Sequence, residues 1–147
     1  MSPMQKGNLI SLIRPPILFP LILLLSACSL PNIHLGRLAV GEVRLGMSGS
    51  NEPGRMAYVY STFNGFESSS LEAGAGQTIQ AVYQVELHKG SLTFEIQAPG
   101  GDVLWQETFT ESSQGSAEVP VLEADLYIII ATAEQAGGGF ELSWTLK

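Results

Sequence analysis

From Arg55 onward, apolar and polar residues alternate with a period of two, the spacing that sends successive side chains to opposite faces of a β-strand. Residues 55–63 (RMAYVYSTF) are rich in aromatic and branched side chains and predict a first strand. In residues 78–88, Ile79, Ala81, Tyr83, Val85 and Leu87 share one face. Gln80, Gln84, Glu86 and His88 share the other, with Val82 the exception among them. Lys89-Gly90 reads as a tight turn, and residues 91–97 alternate again with Leu92, Phe94 and Ile96 inward, so 78–97 predicts a hairpin. The P-G-G-D run at 99–102 is a turn, since proline fixes φ and glycine accepts φ > 0. Residues 102–110 place Val103, Trp105 and Phe109 on one face; Glu107 falls in that phase, which means a rim position or a bulge. Residues 117–122 alternate around Pro120, which lacks a ladder donor and marks an edge or a bend. Residues 126–133 (LYIIIATA) are apolar on both faces and suit a central strand. Gly137-Gly138-Gly139 breaks the chain, and residues 140–146 close it with Phe140, Leu142, Trp144 and Leu146 inward.

Seven short strands separated by glycine, serine and proline, with no amphipathic helical stretch, predict an all-β fold over residues 55–147. The architecture expected is an antiparallel β-sandwich of the immunoglobulin-like or jelly-roll-like kind. Leu122 to Tyr127 (LEADLY) resembles the tyrosine corner of immunoglobulin-like and fibronectin-like sandwiches, where a tyrosine hydroxyl bonds back to the upstream backbone. Residues 28–54 read as a flexible tether with a glycine-rich close at 46–54; within it, residues 37–45 alternate enough for a short hairpin or an added edge strand.

The first 27 residues follow a different pattern. Lys6 and Arg14 precede an apolar run at residues 17–25 broken by Pro20, with no acid among them. A basic head, a short apolar segment and small residues at its end describe a secretory signal. The run is shorter than the roughly 20 apolar residues that span a bilayer. It ends in Leu25-Ser26-Ala27-Cys28, and Cys28 is the only cysteine.

That ending resembles the lipobox of bacterial lipoproteins: an aliphatic residue, two small residues, then cysteine. The resemblance implies that the Cys28 thiol receives a diacylglyceryl group and that cleavage makes Cys28 the new N-terminus. Acyl chains on Cys28 then anchor the protein, each buried methylene contributing about 0.8 kcal/mol. Ser29 stands where an aspartate resembles an inner-membrane retention signal, so a diderm host implies the outer membrane and a monoderm host the cell membrane. The implied location is the extracytoplasmic face. Residues 62–66, 88–105, 125–131 and 138–144 resemble pieces of small extracytoplasmic β-sandwich lipoproteins, and the last two also resemble the closing strands of pre-peptidase C-terminal domains. Neither resemblance supplies active-site residues.

Without the leader, five Lys/Arg stand against fourteen Asp/Glu, a formal net charge of −9. Such an acidic chain is unsuited to nucleic acid and to docking on anionic lipid. Residues 74–78 (GAGQT) look like a phosphate loop but lack its lysine and precede a strand, so they read as a turn. The two histidines, His34 and His88, lie in the tether and at a turn, and neither has a nucleophile motif or a metal-ligand set beside it. No cofactor, metal or catalytic residue is expected. Trp105 and Trp144 have core phase.

Val82, Leu104, Ile128 and Ile130 fall opposite the core residues of their strands. They are read either as an interaction face or as a face covered by a second layer such as residues 36–47; the covered reading is preferred, because central strands are often apolar on both sides. The function expected is a non-catalytic binding or adaptor module for an unknown protein or surface ligand. The alternatives are an envelope hydrolase using a glutamate pair and a structural envelope lipoprotein.

Overall fold

A computed structural model describes residues 41–147. They form seven strands: β1 (Val43–Leu45), β2 (Ser48–Glu52), β3 (Arg55–Ala73), β4 (Thr78–Gln97), β5 (Val103–Phe109), β6 (Ser113–Pro120) and β7 (Asp125–Leu146). All pairings are antiparallel, in the order β1-β3-β7-β4-β5, with β2 added to β3 and β6 to β4.

The three central strands are long, at 19, 20 and 22 residues, and each serves two layers. The β3–β7 register shifts between Tyr60 and Gly65, and the β4–β7 register between Leu87 and Ser91. Each strand bends there. Layer one contains β2, residues 55–60 of β3, 138–146 of β7, 79–87 of β4, and β6. Layer two contains residues 65–73 of β3, 125–133 of β7, 91–97 of β4, and β5. The inner faces meet through aromatic rings. Phe94 of layer two lies 5.4 Å from Phe140 and 6.0 Å from Tyr83, both of layer one, and Tyr83 lies 5.0 Å from Phe109. The expected antiparallel β-sandwich is therefore present, built by folding long strands over rather than by joining short ones.

The hairpin read at 78–97 is corrected: β4 continues through Lys89-Gly90 with a bend, and both of its halves pair with β7. Likewise Gly137-Gly138-Gly139 lies inside β7. The reason is one of phase. Inward positions are odd over 79–87 and even over 92–96 in β4, and odd over 127–133 and even over 140–144 in β7. A turn and a bulged bend shift the phase alike, so alternation alone cannot separate them. At the bend, Gly138 has φ +139, and a Cβ there would sit 2.0 Å from the Glu86 carbonyl oxygen. Only glycine lets the two strands cross this closely.

Residues 43–45, within the stretch that the alternation allowed as an added edge strand, pair with β3 as one, and 48–52, read as the glycine-rich close of the tether, form a strand on β3 as well. Pro53-Gly54 closes the β2–β3 hairpin, with Gly54 at φ +87 as a type II turn requires. Tyr127 is buried, and its hydroxyl donates to the Glu123 carbonyl at 2.8 Å, the geometry of a tyrosine corner.

Among the described residues, one buried side-chain polar atom is orphaned. The Tyr60 hydroxyl is buried with no hydrogen-bond partner, packed against Phe63 and Phe140. An unsatisfied buried hydroxyl costs roughly 1–3 kcal/mol, so Tyr60→Phe is expected to raise stability in urea unfolding by about 1 kcal/mol. Burial also pushes the Tyr60 pKa up from 10.0 to about 12. The folded chain then keeps this proton while the unfolded chain releases it, so stability is lost as pH rises between those values. The same substitution is expected to flatten that alkaline loss; Tyr58 and Tyr83, also raised by burial, leave a residual slope.

Candidate functional site

The lipobox residues Leu25, Ser26, Ala27 and Cys28, and His34 with them, lie outside the described residues. The four residues of the expected interaction face do not form one surface. Val82 is on the outer face of layer one, in register with Ser143 and Ser116. Ile128 and Ile130 are on the outer face of layer two, whereas Leu104 falls at an irregularity of β5 that the register skips. Val103, expected on the core face, pairs with Gln97 on the outer side and is exposed, because that irregularity shifts the phase of β5. The bend separates Val82 from the isoleucines: Val82 precedes it in β4, whereas Ile128 and Ile130 precede it in antiparallel β7, which puts them in opposite layers. Of the expected cover, residues 36–40 lie outside the described residues, and residues 43–45 pair edge-on with β3 at Thr62–Asn64.

The outer face of layer two is ordered in rows across the strands. Ser68, Ile130, Glu95 and Gln106 make one row, and Ser70, Ile128, Gln97 and Val103 the next. Phe66, Thr132, Thr93 and Thr108 flank them on the bend side, and Glu72 and Leu126 on the loop side. Leu126, Ile128 and Ile130 thus form an apolar stripe along the central strand. Phe66, Val103 and Leu126 are 49%, 48% and 44% exposed and Ile128 and Ile130 are half-buried, so among the described residues the face is open at its border and partly open at its centre. Side-chain bonds brace its polar flank: Gln97 Nε2 donates to Glu95 Oε2 at 3.0 Å, and the Thr93 and Thr108 hydroxyls lie 2.9 Å apart. Sequence reasoning missed Phe66 because residues 64–73 did not read as a strand, and missed Leu126, which shares the phase of Ile128 and Ile130.

Charge sets this face apart. Its charged groups are Glu72 and Glu95. The Lys and Arg of the described residues are all engaged elsewhere. Arg44 pairs with Glu42 and Glu67, Arg55 makes a two-pronged bond to Glu141 at 2.9 and 3.0 Å, Lys89 donates to Thr62, and Lys147 lies near Glu118. The Arg55 guanidinium holds the Glu141 carboxyl below the usual carboxylate range.

The edges of the sandwich are pinned by polar side chains. At the β5–β6 edge, Tyr83 donates to Glu107 at 2.8 Å and its ring stacks on Trp105. Glu107 is half-buried in the phase of Trp105 and Phe109 without a bulge beside it, so its place is the rim. Trp144 is buried, and Trp105 packs partly buried against the core. At the opposite edge, Asn51 donates to the Ser68 carbonyl at 2.8 Å.

Shallow clefts lie among the described residues. One of about 500 Å³ at the bend is lined by Ser61, Glu86, His88 and Lys89. One of about 470 Å³ between loops is lined by Glu72, Ala124, Asp125 and Leu126. One of about 420 Å³ lies beside Val82, Gln84 and Glu141. His88 stands 3.5 Å from Glu86, both largely exposed. The described residues bring together no group of three His, Cys, Asp or Glu.

No known family model and no curated protein matches the chain. Among solved structures, a CBM4 protein is similar at TM-score 0.45 and 9% identity, over 70% of this chain and 78% of the other. A carbohydrate-binding module of Cellvibrio mixtus lichenase 5A, in complex with cellotriose, gives 0.41 and 20% over 71% and 86%. The periplasmic inhibitor of g-type lysozyme from Aeromonas hydrophila gives 0.41 and 16% over 68% and 89%.

Proposed function

We propose that the protein is a lipid-anchored, extracytoplasmic binding or adaptor module that performs no catalysis itself. The observation that carries the binding reading is the open outer face of layer two. A sheet face with an apolar central stripe is normally buried against something, and an uncovered one marks an interaction site. The side-chain bonds along its flank hold that surface in one shape, which lowers the ordering cost of binding. Purified full-length protein that turned over any substrate would overturn the non-catalytic reading.

The anchor rests on Leu25-Ser26-Ala27-Cys28 at the end of the apolar run. Two acyl chains hold a protein stably where one is marginal. Metabolic labelling with a radioactive fatty acid is expected to mark the wild type and leave it in carbonate-washed membranes. Cys28→Ala is expected to lose the label entirely. A Cys28→Ala protein that still carried label would end the lipoprotein reading.

A further inference from the structure

We propose that the outer face of layer two docks a partner protein whose contact surface is apolar at its centre and carries lysine or arginine at its border. This rests on the binding-module reading and names the chemistry of the partner. Leu126, Ile128 and Ile130 run along the middle strand, with Phe66 and Val103 exposed on either side. Such a stripe gains from apolar side chains, not from solutes that need hydrogen bonds.

The charge is one-sided. Glu72 and Glu95 flank the stripe, and Arg44, Arg55, Lys89 and Lys147 all lie off this face. An anionic membrane and a nucleic acid would meet carboxylates without a cation. A Lys or Arg of a partner lays its alkyl stem over the isoleucines and brings its charged head to the carboxylates. Rim charges of this kind set orientation and association rate.

Size fixes the strength. Four strands about 4.8 Å apart and about 25 Å long present roughly 500 Å². That falls at the low end of specific interfaces, the class of transient partners. Such a complex dissociates during purification, so it must be trapped in place.

The test is photo-cross-linking of the full chain in cells that produce it. A photoreactive amino acid replaces Ser70 or Gln106 on the layer-two face, or Gln84 or Ser116 on the layer-one face. The expected result is one protein adduct from Ser70 and Gln106, at least about tenfold stronger than from the other two positions, with Lys or Arg in the linked peptide. Ile130→Lys is expected to cut the Gln106 adduct about tenfold, the effect of losing a central contact. Ser70→Lys, at an exposed position that leaves the stripe intact, is expected to reduce it as well and guards against a folding defect in the first variant. Equal adducts from both faces, a polysaccharide or a second copy of this chain as the adduct, or a linked peptide without cations would overturn the proposal. Adducts from layer one alone would overturn it and leave the binding-module reading standing. No adduct at any of the four positions would overturn both.

Discussion

Gly138→Ala is expected to destabilise the sandwich by about 3–5 kcal/mol, combining backbone strain at positive φ with overpacking. The added methyl carbon would lie 2.0 Å from the Glu86 carbonyl oxygen, and φ is +139. The obstacle is backbone, not a flexible side-chain end, so β4 or β7 has to move. Both strands bend at this point, and every other strand pairs with β3 or β4, or with β7 itself. A displacement there is felt on both layers. Since domains are stable by only about 5–15 kcal/mol, a loss of this size leaves a large unfolded fraction. The urea midpoint measures it. Gly100→Ala is the control, because a Cβ at that turn meets nothing within 4 Å and φ is ordinary. Its unfolding free energy is expected to change by no more than about 0.5 kcal/mol. Similar values for the two variants would mean that the strands do not cross closely at Gly138.

Phe94→Ala is expected to cost a similar 3–5 kcal/mol, by a different mechanism. Phe94 is fully buried, and its ring touches Tyr83, Phe109 and Phe140 at centroid distances of 6.0, 5.3 and 5.4 Å. It is the layer-two ring that meets two rings of layer one. Truncation leaves a cavity between the layers, and the bends limit how far they can close on it. The exposed Phe66 is the comparison: Phe66→Ala is expected to change stability by under about 1 kcal/mol. Thermal unfolding of the two variants separates the roles, with Phe94 holding the layers together and Phe66 belonging to the outer face.

The parts of this fold legible in the sequence are those where burial and alternation coincide. Residues 79–87 of β4 and 140–146 of β7 read correctly because each inward position is apolar. Tyr127 was legible from its neighbours in LEADLY, and its bond to Glu123 is where that pattern places it. Residues 64–73 were not legible because one inward position is an acid. Glu67 points in and is held by Arg44 and Tyr58, so the hydrophobic period disappears there. The sequence SGSNE of β2 has little strand propensity and pairs because the Pro53-Gly54 turn lays it on β3.

The candidate face was half legible for a related reason. Ile128 and Ile130 are two residues apart on one strand, so their shared direction follows from the pleat. Joining Val82 to them required knowing which strands pair and where they bend, and period-two alternation carries neither.

The shared strands have a consequence for how this molecule comes apart. Sandwiches assembled from two separate sheets can lose one sheet's edge while the other persists. Here β3, β4 and β7 are continuous through both layers, so no cut through the loops yields a half with its own hydrogen-bonded centre. Local opening is then confined to the short outer strands β1, β2, β5 and β6. Amide hydrogen exchange is expected to divide along that line: rapid in the outer strands, and one common slow rate for the β4–β7 ladder on both sides of the bend.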